Sequence, residues 1–305
     1  MYSIFSLSRL RRRLALVLTA AVCLCVASAA AVTDCRKTAA AVAQASRRAV
    51  VPIVMYHGLL EDKGRQNTYV IDPSLLESDL QEIAKRGYTT VGIRDLLAFV
   101  EEGTPLPDKA VMLTFDDGYY NNYRYAYPLL QTYGMKAVIS PIARWTEFYS
   151  DTPGEQNRPV YSHITFEQMR HMAESGLVEF GNHSYDLHHA GDGGRHGAKK
   201  LAGESKERYQ ALLREDLQRA QNLFAQRAGV TPLAFTYPYG AMSSEAVPVL
   251  KEMGFRLTFT CEERVNVLTA SPDSLYRLGR YLRSNQGDSQ SYFDRVFRAA
   301  QAARG

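Results

Sequence analysis

The chain has 305 residues, 36 Lys plus Arg against 32 Asp plus Glu, a formal charge of +4 and 46% hydrophobic content. Four arginines, Arg9, Arg11, Arg12 and Arg13, fall in the first 29 residues with no acid among them, so the remaining body carries equal numbers of basic and acidic groups. A balanced, apolar-rich body excludes disordered, collagenous and low-complexity classes, and it has no overall field that would attract nucleic acid.

The basic run Arg9 to Arg13 is followed by 20 uncharged residues, Leu14 to Thr33. A basic stretch followed by an apolar one marks residues 1–29 as a signal peptide, with Ala27-Ser28-Ala29 as a cleavage site, or as an N-terminal membrane anchor running through residues 14–33. Either reading exports the body, as a secreted protein or one tethered to the outer face of the cytoplasmic membrane. Residues 30–48 read as an Ala-rich lead-in. Cys23 and Cys25 belong to the apolar segment. The other two cysteines, Cys35 and Cys261, are too few for a disulfide scaffold, though they could pair with each other.

From residue 49 the pattern alternates between short apolar runs and amphipathic segments. Val50 to Met55 reads as a strand, followed by a helix opened by Asp72-Pro73 and closed by Gly87. Tyr88 to Val91 is a strand, Arg94 to Glu101 a short helix, and Ala110 to Phe115 a buried strand. A helix from Asn122 to Thr132, a strand from Lys136 to Ser140 and a helix from Thr165 to Glu174 follow, the last with Thr165 and Gln168 placed as a capping box. Val178 to Gly181 is a strand and Glu204 to Ala228 a long helix with its apolar residues on one stripe. Leu233 to Tyr237 and Phe255 to Cys261 are strands around the helix Ser244 to Met253, and Ser289 to Ala302 closes as a helix. Seven strands separated by helices predict parallel pairing and one irregular (β/α) barrel, a single catalytic domain over residues 49–305.

In such a barrel the reactive groups gather where the strands end. Those ends deliver Tyr56-His57, Asp116-Asp117-Gly118, His183 with His188, and Pro238-Tyr239-Gly240 to one face. One Asp with two His is a sound ligand set for a divalent ion, Zn²⁺ first with Co²⁺ or Ni²⁺ as alternatives, and three protein ligands leave a position open. Adjacent Asp side chains on a strand point to opposite sides, so one can hold the ion and the other can act as a base. His189 competes with His188 for the second imidazole position. His163, His171 and His196 read as ordinary surface or loop histidines. Tyr119, Tyr123 and Tyr127 are spaced as a packed helix face. Trp145 and Tyr149 fall in the long loop after a strand, where they could either stack on a sugar or pack.

Thr114-Phe115-Asp116-Asp117-Gly118, His183-Ser184 with His188, and Tyr237-Pro238-Tyr239-Gly240 together resemble the three motifs of the polysaccharide deacetylase (NodB-homology) family, carbohydrate esterase family 4. The motif core spans residues 109–305. The resemblance implies Asp116 as catalytic base, Asp117, His183 and His188 as metal ligands, and Tyr239 as an oxyanion donor; Pro238, Tyr239 and Trp145 are the candidate substrate contacts. Three features depart from the family pattern. The spacing from His183 to His188 is one residue longer than usual. Thr236 stands where an Arg usually pairs with the base, which makes Arg280 in Leu278-Gly279-Arg280-Tyr281-Leu282 the candidate replacement. No His follows His196, and Met55-Tyr56-His57 resembles the first-strand motif by which one branch of the family supplies its acid, giving His57 that role. The branch includes poly-β-1,6-N-acetylglucosamine deacetylases.

The resemblance implies a monomeric, metal-dependent hydrolase that removes N-acetyl groups from amino-sugar polysaccharides. An O-acetyl xylan or glycan esterase and an inactive glycan-binding module are the competing readings.

Overall fold

The computed structural model describes residues 47–191 and 194–305. The proposed export segment, Cys35 and most of the Ala-rich lead-in lie outside the described residues. Among the described residues no helix is long and apolar enough to cross a membrane.

Seven strands form one continuous parallel sheet: β1 (Ile53–Tyr56), β2 (Ala110–Asp117), β3 (Ala137–Pro141), β4 (Val178–Asn182), β5 (Ala234–Thr236), β6 (Leu257–Phe259) and β7 (Tyr281–Leu282). Their spatial order is β6-β5-β4-β3-β2-β1-β7, with the short strand Thr89–Thr90 pairing beside β2. The two ends of the sheet approach each other through the segment that leads into β7. Leu278 N–H donates to the Thr258 carbonyl and Thr260 N–H donates to the Leu278 carbonyl, both at 2.8 Å, while Tyr281 and Leu282 pair with Val54 and Met55 of β1. One short stretch thus bonds to β6 at its start and to β1 at its end, which closes the barrel.

Seven strands stand in this ring, as the sequence predicts, but the membership differs. The predicted strand Val50 to Met55 is two strands. Arg48–Val51 pairs antiparallel with Asn266–Thr269, and only β1 joins the barrel. Pro52 separates them because it has no N–H to continue a ladder. Residues 88–91 contribute only the two-residue Thr89–Thr90 off the main path, and the seventh place is taken by β7.

Side-chain alternation along β2 sets the layers. Val111, Leu113 and Phe115 face the helices that wrap the sheet, in a cluster with Leu76, Leu80 and Phe297. Ala110 and Met112 lie in the other cluster with Ile53, Val138, Leu257 and Phe259, which fills the barrel. Because the period is two, Thr114 and Asp116 continue the inward set. At the level of Asp116, the Ser140 and Thr236 hydroxyls hydrogen-bond at 2.7 Å across the interior. A Cβ on Gly181 would stand 2.4 Å from the Ser140 hydroxyl, so glycine there keeps this crossing open. The helices follow the predicted boundaries closely where caps are present: Asp72 caps Pro73–Lys85, and Thr165 with Gln168 forms both bonds of the capping box on Phe166–Glu174. A helix runs over Ala143–Asp151, where the sequence predicts a loop.

Candidate active site

The inward parity of β2 delivers Asp116 into the barrel mouth, where it is 2% exposed. Its two oxygens accept from the two terminal nitrogens of Arg280 at 2.6 and 2.7 Å. Arg280 is fully buried, and its remaining donors reach the Thr260 carbonyl (2.9 Å) and the Thr114 hydroxyl (3.2 Å). Burial by itself would raise the Asp116 carboxyl, but the guanidinium outweighs it and holds the group below its ordinary value. The fork geometry also fixes the carboxylate plane, which a lysine could not do.

Asp117 leaves the strand with a left-handed backbone (φ 67°), followed by Gly118 (φ 71°). A side chain at Gly118 would meet Pro141 Cβ at 2.5 Å, so the turn needs glycine. The turn brings Asp117 Oδ1 within 3.4 Å of His183 Nε2 and 3.2 Å of His188 Nε2. One ligating atom from each of the three lies within 4.8 Å of the others. Burial would raise the Asp117 carboxyl, but the two imidazoles hold it well below the usual range.

His57 follows β1 and continues its inward parity. Its Nε2 lies 4.0 Å from Asp116 Oδ2, its ring meets Tyr69 edge-on at 4.9 Å, and the Asn122 amide donates to its carbonyl at 2.7 Å. Burial lowers its pKa against the pull of Asp116. Pro238 is buried, whereas Tyr239 is 42% exposed, with left-handed backbone (φ 58°) and its ring 4.4 Å from that of His188. Asp117, Ser184 and Tyr239 are all non-glycine residues with positive φ, a conformation costing about 1–3 kcal/mol each that concentrates at functional sites.

The polysaccharide deacetylase family model matches residues 103–258, just over half of the chain. The chain belongs to the polysaccharide deacetylase family. It is 25% identical over 262 residues to the poly-β-1,6-N-acetyl-D-glucosamine N-deacetylase of Escherichia coli K12, a match covering 80% of this chain and 38% of that protein. The chain therefore spans well under half the length of that relative. The solved de-N-acetylase from Aggregatibacter actinomycetemcomitans is 26% identical with a TM-score of 0.66, covering 81% of this chain and all of that one. IcaB from Ammonifex degensii is 25% identical with a TM-score of 0.65, covering 83% and 97%.

Polysaccharide deacetylases are metal-dependent, and the three residues here fit an ion. Asp117 Oδ1 is buried with no hydrogen bond to satisfy it. His183 Nδ1 donates to the Thr236 carbonyl at 2.8 Å, so in the neutral ring Nε2 keeps its lone pair toward Asp117. His189, the competitor, instead turns to Asp186 at 3.7 Å and is largely exposed.

The surroundings of this site correct three expectations. Trp145 and Tyr149 lie on the helix Ala143–Asp151, not in a loop, because the chain from Ala143 to Asp151 has no Gly or Pro to break it. His163 is neither a surface nor an ordinary loop residue. It is buried, stacked between Trp145 (5.8 Å) and Tyr149 (5.6 Å), and 4.8 Å from the Tyr119 ring. Burial pushes its pKa down to about 4. Tyr119 is bridged to His163 rather than lying on the helix, whereas Tyr123 and Tyr127 do stack, at 5.9 Å. His171 sits 2.8 Å from the Tyr123 hydroxyl, and His196 bonds to the Ala190 carbonyl. Sequence reasoning missed Asn121 and Asn122, which tie Leu59 and His57 to the turn after β2, and Asp216, which accepts from the amides of Tyr185 and Asp186. The signal for the asparagines was an amide pair directly after Tyr119-Tyr120. For Asp216 there was none.

Proposed function

We propose that this chain hydrolyses N-acetyl groups from amino-sugar polysaccharides, with N-acetylglucosamine polymers like those named for its relatives as the substrate class. The single observation that carries the reading is the adjacency of two differently furnished carboxylates: Asp117 faces two imidazole nitrogens, and Asp116 is gripped by a guanidinium. One is furnished to hold a cation and the other to stay ionised as a base.

Asp117, His183 and His188 are the ligands of a divalent ion, with Zn²⁺ the favoured occupant and Co²⁺ or Ni²⁺ as substitutes. The ion supplies Lewis-acid polarisation of the acetyl carbonyl and makes water a better nucleophile near neutral pH. Asp116, fixed by Arg280, accepts the proton of the attacking water. The Tyr239 main-chain N–H donates to the developing oxyanion, an interaction of a kind worth about 2.7–4 kcal/mol of barrier. His57 delivers a proton to the departing nitrogen, so the amine leaves neutral. Pro238, Tyr239 and Trp145 line the approach for the sugar. His57 and the five-residue step from His183 to His188 support placing the chain in the branch with the Met-Tyr-His first strand. Residues 49–305 are the catalytic domain, preceded by an export signal or anchor in residues 1–29 and the lead-in of residues 30–48, and the reaction takes place outside the cytoplasmic membrane.

The test is acetate release from N-acetylated amino-sugar oligomers, with O-acetylated xylan alongside and chelator and metal-replacement controls. Asp117→Ala is expected to abolish release and to lose the metal. Unchanged turnover in that variant overturns the assignment.

A further inference from the structure

His183 and His188 are joined by a turn that belongs to no helix or strand, yet both rings must meet Asp117 for the site to exist. The main chain of that turn is held from several directions. Asn182 Oδ1 accepts from Ser184 N–H at 2.8 Å, and Ser184 Oγ accepts from Leu187 N–H at 3.0 Å. The amides of Ala143 and Arg144 donate to the carbonyls of Ser184 and Tyr185 at 3.0 and 3.2 Å. A further hold comes from Asp216, on the helix Lys206–Leu223, whose two oxygens accept separately from the N–H of Tyr185 and the N–H of Asp186, each at 2.8 Å.

The Asp216 contact differs from the others. A partly buried carboxylate spends both oxygens on consecutive amides, and among the described residues neither oxygen joins an ion pair. Its carboxyl is pushed up to about 6, chiefly by burial, so a net charge is kept here at a cost and returns two backbone bonds. Only a two-oxygen acceptor serves both amides. A side-chain amide of the same shape offers one acceptor and sets its NH₂ against the second backbone N–H.

We propose that Asp216 is the positioning residue of the metal site: by pinning the amides of Tyr185 and Asp186 it fixes the separation of His183 and His188, and with it the affinity for the ion. This rests on the reading of Asp117, His183 and His188 as ligands. Asp216 touches none of the three, so it acts only through the main chain between two of them. The same turn also carries Ser184 with its left-handed backbone (φ 77°), a conformation that persists only where the surroundings over-determine it. Releasing the two amides removes that constraint.

The experiment is titration of metal-free full-length protein with Co²⁺, followed by its visible spectrum, and with Zn²⁺ in competition, for the wild type, Asp216→Asn and Asp216→Ala. Thermal melts of the metal-free proteins are run in parallel. The expected result is a dissociation constant about ten- to a hundred-fold weaker in both variants, the range seen when groups supporting metal ligands are removed, with an altered Co²⁺ spectrum. Asp216→Asn is expected to melt only modestly below wild type without metal, since one backbone N–H loses its acceptor while relief of the buried charge offsets part of that loss. A merely structural residue would move the melt and leave the affinity alone. If Asp216→Ala does not fold, the isosteric Asp216→Asn decides. Affinities within threefold of wild type overturn the proposal while leaving the metal site intact. A wild type that binds Co²⁺ no better than Asp117→Ala overturns the ligand assignment, and the proposal with it.

Discussion

Arg280 and Asp116 lie 164 residues apart in the chain and meet as a two-pronged ion pair inside the barrel, both essentially without solvent. Thr236 occupies the position where the family resemblance puts a cation. Its side chain bonds Ser140 and its carbonyl accepts from His183, so it supports His183 rather than Asp116. The guanidinium arrives instead from the segment that closes the sheet.

Removing one member of a buried pair strands the other, at about 3–5 kcal/mol. Arg280→Met is therefore expected to lose stability on that scale in urea denaturation, and to release no measurable acetate. Arg280→Met combined with Asp116→Asn is expected to recover most of the stability while remaining inactive. Because the folded pKa of Asp116 lies below its unfolded value, the stability from this pair is complete above the ordinary carboxylate range and fades as the pH falls through the folded value. Equal stability of the single and double variants contradicts the pairing.

His57 Nε2 lies 4.0 Å from Asp116 Oδ2 and is not one of the three side chains clustered at Asp117, so its loss should affect leaving-group protonation more than metal binding. His57→Gln is expected to lower kcat for an acetamido sugar by about 10²–10⁴. Against an aryl acetate, whose leaving group departs without a proton, the loss should be within a few-fold. Parallel losses on both substrates would assign His57 some other duty.

His163 is buried among Tyr119, Trp145 and Tyr149, with its pKa pushed down to about 4. The unfolded chain takes up a proton near 6.5 and the folded protein does not until near 4, so stability is complete above 6.5 and is lost as the pH falls between those values. The full effect is about 3 kcal/mol. His163→Phe keeps the ring stack and is expected to lack this component. Denaturation at pH 7 and pH 4.5 checks it: the wild type should lose more stability over that interval than the variant.

The residues proposed for the chemistry come together in the structure because they sit where apolar runs stop. Phe115 gives way to Asp116, Phe180-Gly181-Asn182 to His183, and Phe235-Thr236-Tyr237 to Pro238, and a parallel sheet sends all such endings to one face. Six of the seven barrel strands were legible for the same reason. What escaped was short or cooperative. A two-residue strand such as Tyr281–Leu282 has no periodicity to read, and Pro52 was hidden inside a continuous apolar run. The burial of His163 depends on rings contributed by residues 119, 145 and 149, and Asp216 depends on which face of a long helix meets a loop thirty residues earlier. Those are properties of packing, and a local pattern does not carry them.

The segment from Leu278 to Leu282 that joins the two edges of the sheet also determines when the site can come into being. A chain that emerges N-terminus first presents Asp116 long before Arg280 exists, so β1 to β6 must wait with an uncompensated carboxylate at the centre of their half-made interior. Contacts of such long sequence separation form late and slowly. Pairing of Asp116 and completion of the barrel are then one event, and a partly translated chain has Asp117, His183 and His188 but an Asp116 without its guanidinium.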